Sequence, residues 1–174
     1  SKGSNDVFGT VRSNAALPPA FLKRYAGIIV DGIDAYNYTA LEQVLVDLKP
    51  DVVVNCIGII RQKKEGQEAL PCVEINARFP LLLADYCKKN AIRLVHYSTD
   101  CVFDGNKNLP YNEDDPPTAK DVYGLSKYLG ELRDAPALTI RTSIIGHELT
   151  SSFSFLEWFL GAQSPVRGYT QSIY

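Results

Sequence analysis

Methionine is absent from all 174 positions, the first included, so Ser1 is not expected to be where translation begins. Cysteine is scarce and scattered. Cys56, Cys72, Cys87 and Cys101 form no CxxC pair, which argues against a zinc site and a secreted disulfide framework and for a reducing, cytoplasmic setting. Only two histidines occur, His96 and His147, and neither stands at metal-ligand spacing from a partner. Structural roles are expected for both, and no metal site. The net charge of −2 arises from interspersed residues of both signs, leaving no footprint for nucleic acid or an anionic membrane. The basic cluster from Arg61 to Lys64 reads as a solvated loop. No apolar run approaches the roughly 20 residues that span a bilayer, and the polar start SKGSND lacks the apolar stretch of a signal peptide. Neither an internal repeat nor a Gly/Ser linker divides the chain.

What is present is an ordinary globular composition, 45% hydrophobic and 22% charged, enough for a single core. Short β-rich runs alternate with helical stretches, the pattern of parallel strands joined by crossover helices. Strands are predicted at 6–11, 27–30, 51–57, 93–98 and 138–141. VVVNCIGII is almost continuously apolar, which predicts a central strand covered on both faces. Leu41, Val44, Leu45 and Leu48 repeat at helical spacing between Asn37 and Lys49, and Pro50 ends that segment. A second helical pattern covers 69–90, where Pro71 and Pro80 predict a late start or a kink. A third covers 123–132. The polar stretch 100–121, rich in Asp, Asn and Pro, predicts a long functional loop. After Gly146, the residues Phe153, Phe155, Leu156, Trp158 and Phe159 suggest the start of a further lobe, with these side chains packed in its core.

Tyr123 and Lys127 of YGLSK stand four residues apart, on one face of a helix. A phenol titrates near 10, too high for acid or base work near neutrality, and an adjacent ammonium would lower it so that the phenol can protonate a carbonyl oxygen as hydride reaches its carbon. The pair alone is not specific, since a surface Tyr and Lys have the same spacing. Upstream, HYSTDCVFDG places Ser98, Thr99 and Asp100 at the carboxyl end of a buried strand, where open α/β sheets assemble their sites. A hydroxyl there can steady the same carbonyl oxygen, or it can satisfy backbone groups of a turn.

These residues resemble the extended short-chain dehydrogenase/reductases, most closely the dTDP-4-dehydrorhamnose reductase family. The likeness runs in order through KPDVVVNCIG, VEINARFPLLLADYCKKNAIRLVHYSTDCVFDG, LPYNEDDPPTAKDVYGLSKYLGE and TIRTSIIG. It implies a Rossmann-type doubly wound parallel sheet and an oxidoreductase that reduces the 4-keto group of a nucleotide-linked hexose with NADPH. It also implies that Thr99 orients the carbonyl, Tyr123 supplies the proton, and Lys127 tunes Tyr123 and holds the nicotinamide ribose. Asn76 would support Lys127 and a proton relay, while Asn55, Cys56, Ile57 and Gly58 would lie along the cofactor.

Arg12 and Ser13 follow the first predicted strand, where an arginine can accept a 2′-phosphate, which favours NADP while leaving NAD open; an exposed charged turn is the other reading. Asp31 resembles the residue that contacts adenine, with helix capping as its rival. The family commonly has tyrosine where this chain has Cys101, and tryptophan where it has Ile144. Both positions would face the sugar, so a related deoxy or acetamido keto-sugar is as fitting a substrate as dTDP-4-dehydrorhamnose. An epimerase or dehydratase on the same scaffold, and an NADP-binding regulatory subunit without catalysis, stand as alternatives. A homodimer is left open.

The resemblance also sets an expectation about organisation, with a nucleotide-binding core over 1–146 and the start of a substrate lobe over 147–174. DVFGTV is followed by Arg12 rather than by glycines, which suits the second strand of the order 3-2-1-4-5-6, and KPDVVVNCIG then suits the fourth. A sheet built from these residues alone would leave a gap between those two strands. Roughly 20 to 25 further residues, a strand, a Gly-rich turn and most of a helix, are therefore expected before Ser1.

Overall fold

The computed structural model describes residues 5–152 and 154–168. The chain divides into two compact units: one holds the described residues up to Gly32 and from Ile144, the other spans Ile33–Ser143. The strands fall into two parallel sheets, one in each unit.

In the smaller unit, β1 (Gly9–Thr10) pairs with β2 (Ile29–Val30). Between them lie a 3-10 turn at Asn14–Ala16 and α1 (Pro19–Arg24), which opens on prolines where the missing N–H costs no hydrogen bond. At the other end of the sequence, α6 (Phe155–Leu160) is capped by Ser154, whose hydroxyl accepts from the Glu157 N–H at 3.3 Å. Phe155, Trp158 and Phe159 are each about half exposed, so the expected core packing of this stripe is not met. Phe155 and Trp158 lean on one another at 5.9 Å instead. Phe153 lies outside the described residues.

The larger unit carries the remaining elements. Asn37 caps α2 (Tyr38–Leu48) by accepting from the Ala40 N–H, and Leu41 and Leu45 point from it into the core. Burying each leucine contributes about 1.5–3 kcal/mol. Lys49, left-handed at φ 46°, turns the chain out of the helix ahead of Pro50. β3 (Val52–Asn55), β4 (Arg93–Ser98) and β5 (Ala137–Arg141) form a sheet with β4 in the middle. The expectation of a central β3 covered on both faces is thus corrected. Among the described residues β3 stands at a sheet edge, and Val52 and Val54 are half exposed. β1 is hydrogen-bonded to β2 rather than to β3, so the five strands do not make one continuous sheet.

The helical pattern over 69–90 is neither late nor broken. It runs as α3 (Ala69–Cys72), a π-helical segment (Val73–Arg78) and α4 (Phe79–Lys89). Pro71 falls in the first turn, where N–H groups have no partner in any case. Pro80 follows directly on the widened π turn, in which the Phe79 N–H reaches back to the Glu74 carbonyl, five residues away. Ile75, Ala77, Phe79, Leu83 and Cys87 bury the inner face. The next helix, α5 (Val122–Leu129), stops short of the predicted Leu132, at Gly130. A Cβ at Gly130 would overlap the Asn76 carbonyl oxygen and the Pro80 ring, so the chain passes there only as glycine. No described helix is long and apolar enough to cross a membrane.

Candidate functional site

At the carboxyl ends of β3 and β4, polar side chains replace apolar ones. Asn55 and His96 are opposite one another in the parallel register, and both are buried. The Asn55 amide donates to His96 Nδ1 at 3.0 Å, while Asn55 Oδ1 accepts from the Ile57 N–H at 3.0 Å. One side chain thereby fixes the turn through Cys56, Ile57 and Gly58. Burial, reinforced by the nearby Lys127 charge and opposed by Glu131, holds His96 well below its usual range, at about 4. The imidazole is therefore neutral near pH 7, with Nδ1 as acceptor and a buried Nε2 that has no hydrogen-bond partner among the described residues.

Thr99 follows β4 directly. Its hydroxyl accepts from the Cys101 N–H at 3.1 Å and donates to Asp100 Oδ1 at 3.2 Å, fixing the turn over Asp100–Val102. Tyr123 comes up beside the Thr99 side chain from the first turn of α5. Asp121 caps this helix by accepting from the Gly124 N–H at 3.0 Å. Gly124 is needed for the approach, because a Cβ there would collide with the Cys101 carbonyl and Ala119. Burial raises the Tyr123 phenol above its ordinary range, with the Thr99 contact pulling the other way.

One turn further along α5, Lys127 is buried and donates to the Tyr97 carbonyl at 2.7 Å. Burial lowers its ammonium to about 8, and Glu131 opposes that fall. The sequence expectation that Lys127 acts directly on the phenol is not what this geometry displays, since burial dominates Tyr123 and Lys127 is spent on the Tyr97 carbonyl. Asn76, carried inward on the π-helical segment, accepts from the Ile59 N–H at 2.8 Å and donates to the Ile59 carbonyl at 3.2 Å and to Ser126 at 3.3 Å. Gly58 fits against this group. A Cβ there would stand 3.3 Å from Asn76 Oδ1 and 3.7 Å from Lys127 Nζ. The larger unit thus brings together Asn55, Cys56, Ile57, Gly58, Asn76, Ser98, Thr99, Cys101, Tyr123 and Lys127.

Arg12, Ser13, Asp31 and Ile144 belong to the smaller unit. Arg12 is exposed, and no ion pair engages its guanidinium among the described residues. Ser13 caps the 3-10 turn, accepting from the Ala15 N–H at 3.3 Å. Asp31 Oδ1 accepts from the Asn14 N–H at 2.8 Å and the Gly32 N–H at 2.9 Å, tying the end of β2 to the start of that turn. Ile144 is exposed.

Sequence reading missed the third carboxyl-end cluster. Ser98 does not offer its hydroxyl to the site. It donates to Glu131 Oε1 at 2.9 Å. Arg141, the last residue of β5, grips the same carboxylate in bidentate fashion at 2.8 and 2.7 Å. The only sequence signal was that Glu131 lies four residues after Lys127, a helical spacing that the intervening Gly130 disguises.

A profile of the RmlD substrate binding domain family matches residues 16–156. The chain is 35% identical over 139 residues to a dTDP-4-dehydrorhamnose reductase of Burkholderia thailandensis, covering 78% of this chain and 47% of that protein. The chain thus spans about half the length of that curated relative. Among solved structures, a hypothetical dTDP-4-dehydrorhamnose reductase of Sulfolobus tokodaii superposes with a TM-score of 0.59 at 28% identity, covering 78% of this chain and 55% of that one. A dTDP-4-dehydrorhamnose reductase of Clostridium acetobutylicum gives 0.56 at 29% identity, covering 71% and 46%. With a match over most of its length and the strand-end cluster in place, the chain belongs to the RmlD substrate binding domain family.

Proposed function

We propose that the full-length protein is an NADPH-dependent reductase of a nucleotide-linked 4-keto-hexose, of the dTDP-4-dehydrorhamnose reductase type. The observation that carries this reading is the meeting of Thr99, Tyr123 and Lys127 at the carboxyl end of β4, in a chain of this family. When bound, the nicotinamide cofactor supplies the hydride. Tyr123 delivers the proton to the carbonyl oxygen, and its phenol above the ordinary range is protonated at neutral pH, as a donor must be. Thr99 holds the phenol and the substrate oxygen in one place.

Several features fit a cofactor. At Gly58, beside Asn76 and Lys127, a glycine leaves room that a side chain would fill. Asn55, Cys56, Ile57 and Gly58 would lie along the cofactor, with Lys127 and Tyr123 at its nicotinamide ribose. In the smaller unit, the unengaged guanidinium of Arg12 suits a 2′-phosphate, and Ser13 and Asp31 flank it in sequence or through the turn they fix. Cys101 and Ile144 are the positions at which a deoxy or acetamido keto-sugar would be distinguished. The four cysteines are free thiols, in keeping with a cytoplasmic setting.

The test is Tyr123→Phe in the full-length protein. NADPH affinity by fluorescence titration should change far less than turnover of dTDP-4-dehydrorhamnose, which should fall about a hundredfold to ten-thousandfold. Turnover within a few-fold of the parent would sink the assignment.

A further inference from the structure

Three consecutive facts surround Lys127. It is buried on α5, its ammonium donates to the carbonyl of Tyr97, and the next residue of β4, Ser98, donates to Glu131. Glu131 stands one helical turn beyond Lys127, and its side chain is only 4% exposed. Its two oxygens receive three hydrogen bonds, two from Arg141 on β5 and one from Ser98 on β4. This carboxylate therefore joins the carboxyl ends of two strands to the end of the helix that carries Tyr123 and Lys127. A buried ammonium whose one hydrogen-bond acceptor among the described residues is a neutral carbonyl gains from a fixed anion nearby, because the low-dielectric interior screens weakly.

We propose that Glu131, clamped by Arg141 and Ser98, is a positioning residue for Lys127, serving as the built-in counter-charge that keeps the lysine an ammonium and holds α5 against the strand ends. The importance of that role for turnover rests on the reading of Lys127 given above. The other titratable or charged groups around the pair are few. Tyr123 lies one turn before Lys127 on α5, His96 faces it from β4 and is neutral near pH 7, and Arg141 approaches from β5 with Tyr128 and Glu113 nearby. Arg141 is cationic and cannot be the counter-ion of Lys127. Of these groups, Glu131 opposes the effect of burial on Lys127. Arg141 also lies over the Phe103 ring at 5.1 Å, so the clamp reaches the loop that follows Thr99.

The test reads the titration of Lys127 itself, in full-length protein labelled with ¹³C at lysine Cε and without cofactor or substrate. The signal is assigned by its loss in Lys127→Arg. The parent midpoint is expected at about 8. Glu131→Gln, which removes the charge and keeps the shape, should lower it by about one unit. Arg141→Gln removes the competing cation, leaves Glu131 charged, and should raise it. The opposite signs separate a counter-charge from a merely structural bolt, since loosening the helix would let water reach the lysine and raise the midpoint in both variants. A rise in both, or no movement with Glu131→Gln, overturns the proposal. Should Glu131→Gln not fold, a midpoint in Arg141→Gln that stays or falls overturns it equally. Lys127→Ala turnover is a separate reading: unaffected turnover would remove the catalytic role while leaving the charge pair intact.

Discussion

His96 offers a measurable link between burial and acid stability. An unfolded chain takes up a proton at this imidazole as pH falls through 6.5, whereas the native state resists until about 4. The folded value is depressed for a base, so the native state loses stability as pH falls across that window and keeps it in full above. Two and a half units at about 1.4 kcal/mol each come to about 3.5 kcal/mol. Protonation would also turn the acceptor for the Asn55 amide into a second donor, and the new charge would face the Lys127 ammonium. Urea unfolding of the full-length protein at pH 7, 6, 5 and 4 should show this loss. His96→Gln keeps a polar group opposite Asn55 but cannot titrate in this range. Its stability at pH 7 should be lower than the parent's, and the gap should close or reverse toward pH 4. Two curves that stay parallel between 6.5 and 4 would show that His96 is not the group responsible.

Two further expectations follow from packing and charge. Gly130→Ala should destabilise the protein by about 1–3 kcal/mol or more in denaturant titrations, because its Cβ meets backbone at Asn76 rather than a side chain that can swing away; unchanged stability would contradict the tight crossing. On the proposed reading, Arg12→Ala should weaken NADPH binding by about 1.5–3 kcal/mol and leave NADH binding almost unaltered, and equal losses for both cofactors in a titration would show that Arg12 supports the turn instead.

Local chemistry made much of the larger unit legible in sequence. Asn37, the leucine spacing behind it and Pro50 define α2 almost to the residue, since caps and apolar periodicity act within a few positions. VVVN declared a strand but not its place, because an apolar run reports what a strand prefers to touch and not which neighbour it has. The prolines at 71 and 80 were read as interruptions, although both occupy helical positions that require no N–H partner of the usual kind. Tyr123, Lys127 and Thr99 could be read from spacing and resemblance. Glu131 could not, because its role depends on Ser98 and Arg141, which approach from separate strands. Ser98 shows the converse, a hydroxyl in the expected place whose hydrogen bond goes to Glu131 instead.

The π-helical turn at Val73–Arg78 takes up one residue more than an α-helical turn does. An α-helix advances about 100° per residue, so the same extra residue in a straight helix would rotate everything after it by roughly that angle, whereas a wide turn absorbs it locally. Residues on both sides of the wide turn accordingly reach the interior, Cys72 before it and Leu83 and Cys87 after it. Deleting a single residue between Val73 and Arg78 should therefore restore a regular helix and leave Leu83 and Cys87 facing the interior. What it would disturb is Asn76, which sits in the wide turn and holds Ile59 and Ser126. The wide turn thus serves the placement of Asn76 rather than the phase of the helix, and a deletion there should cost those hydrogen bonds before it costs the core.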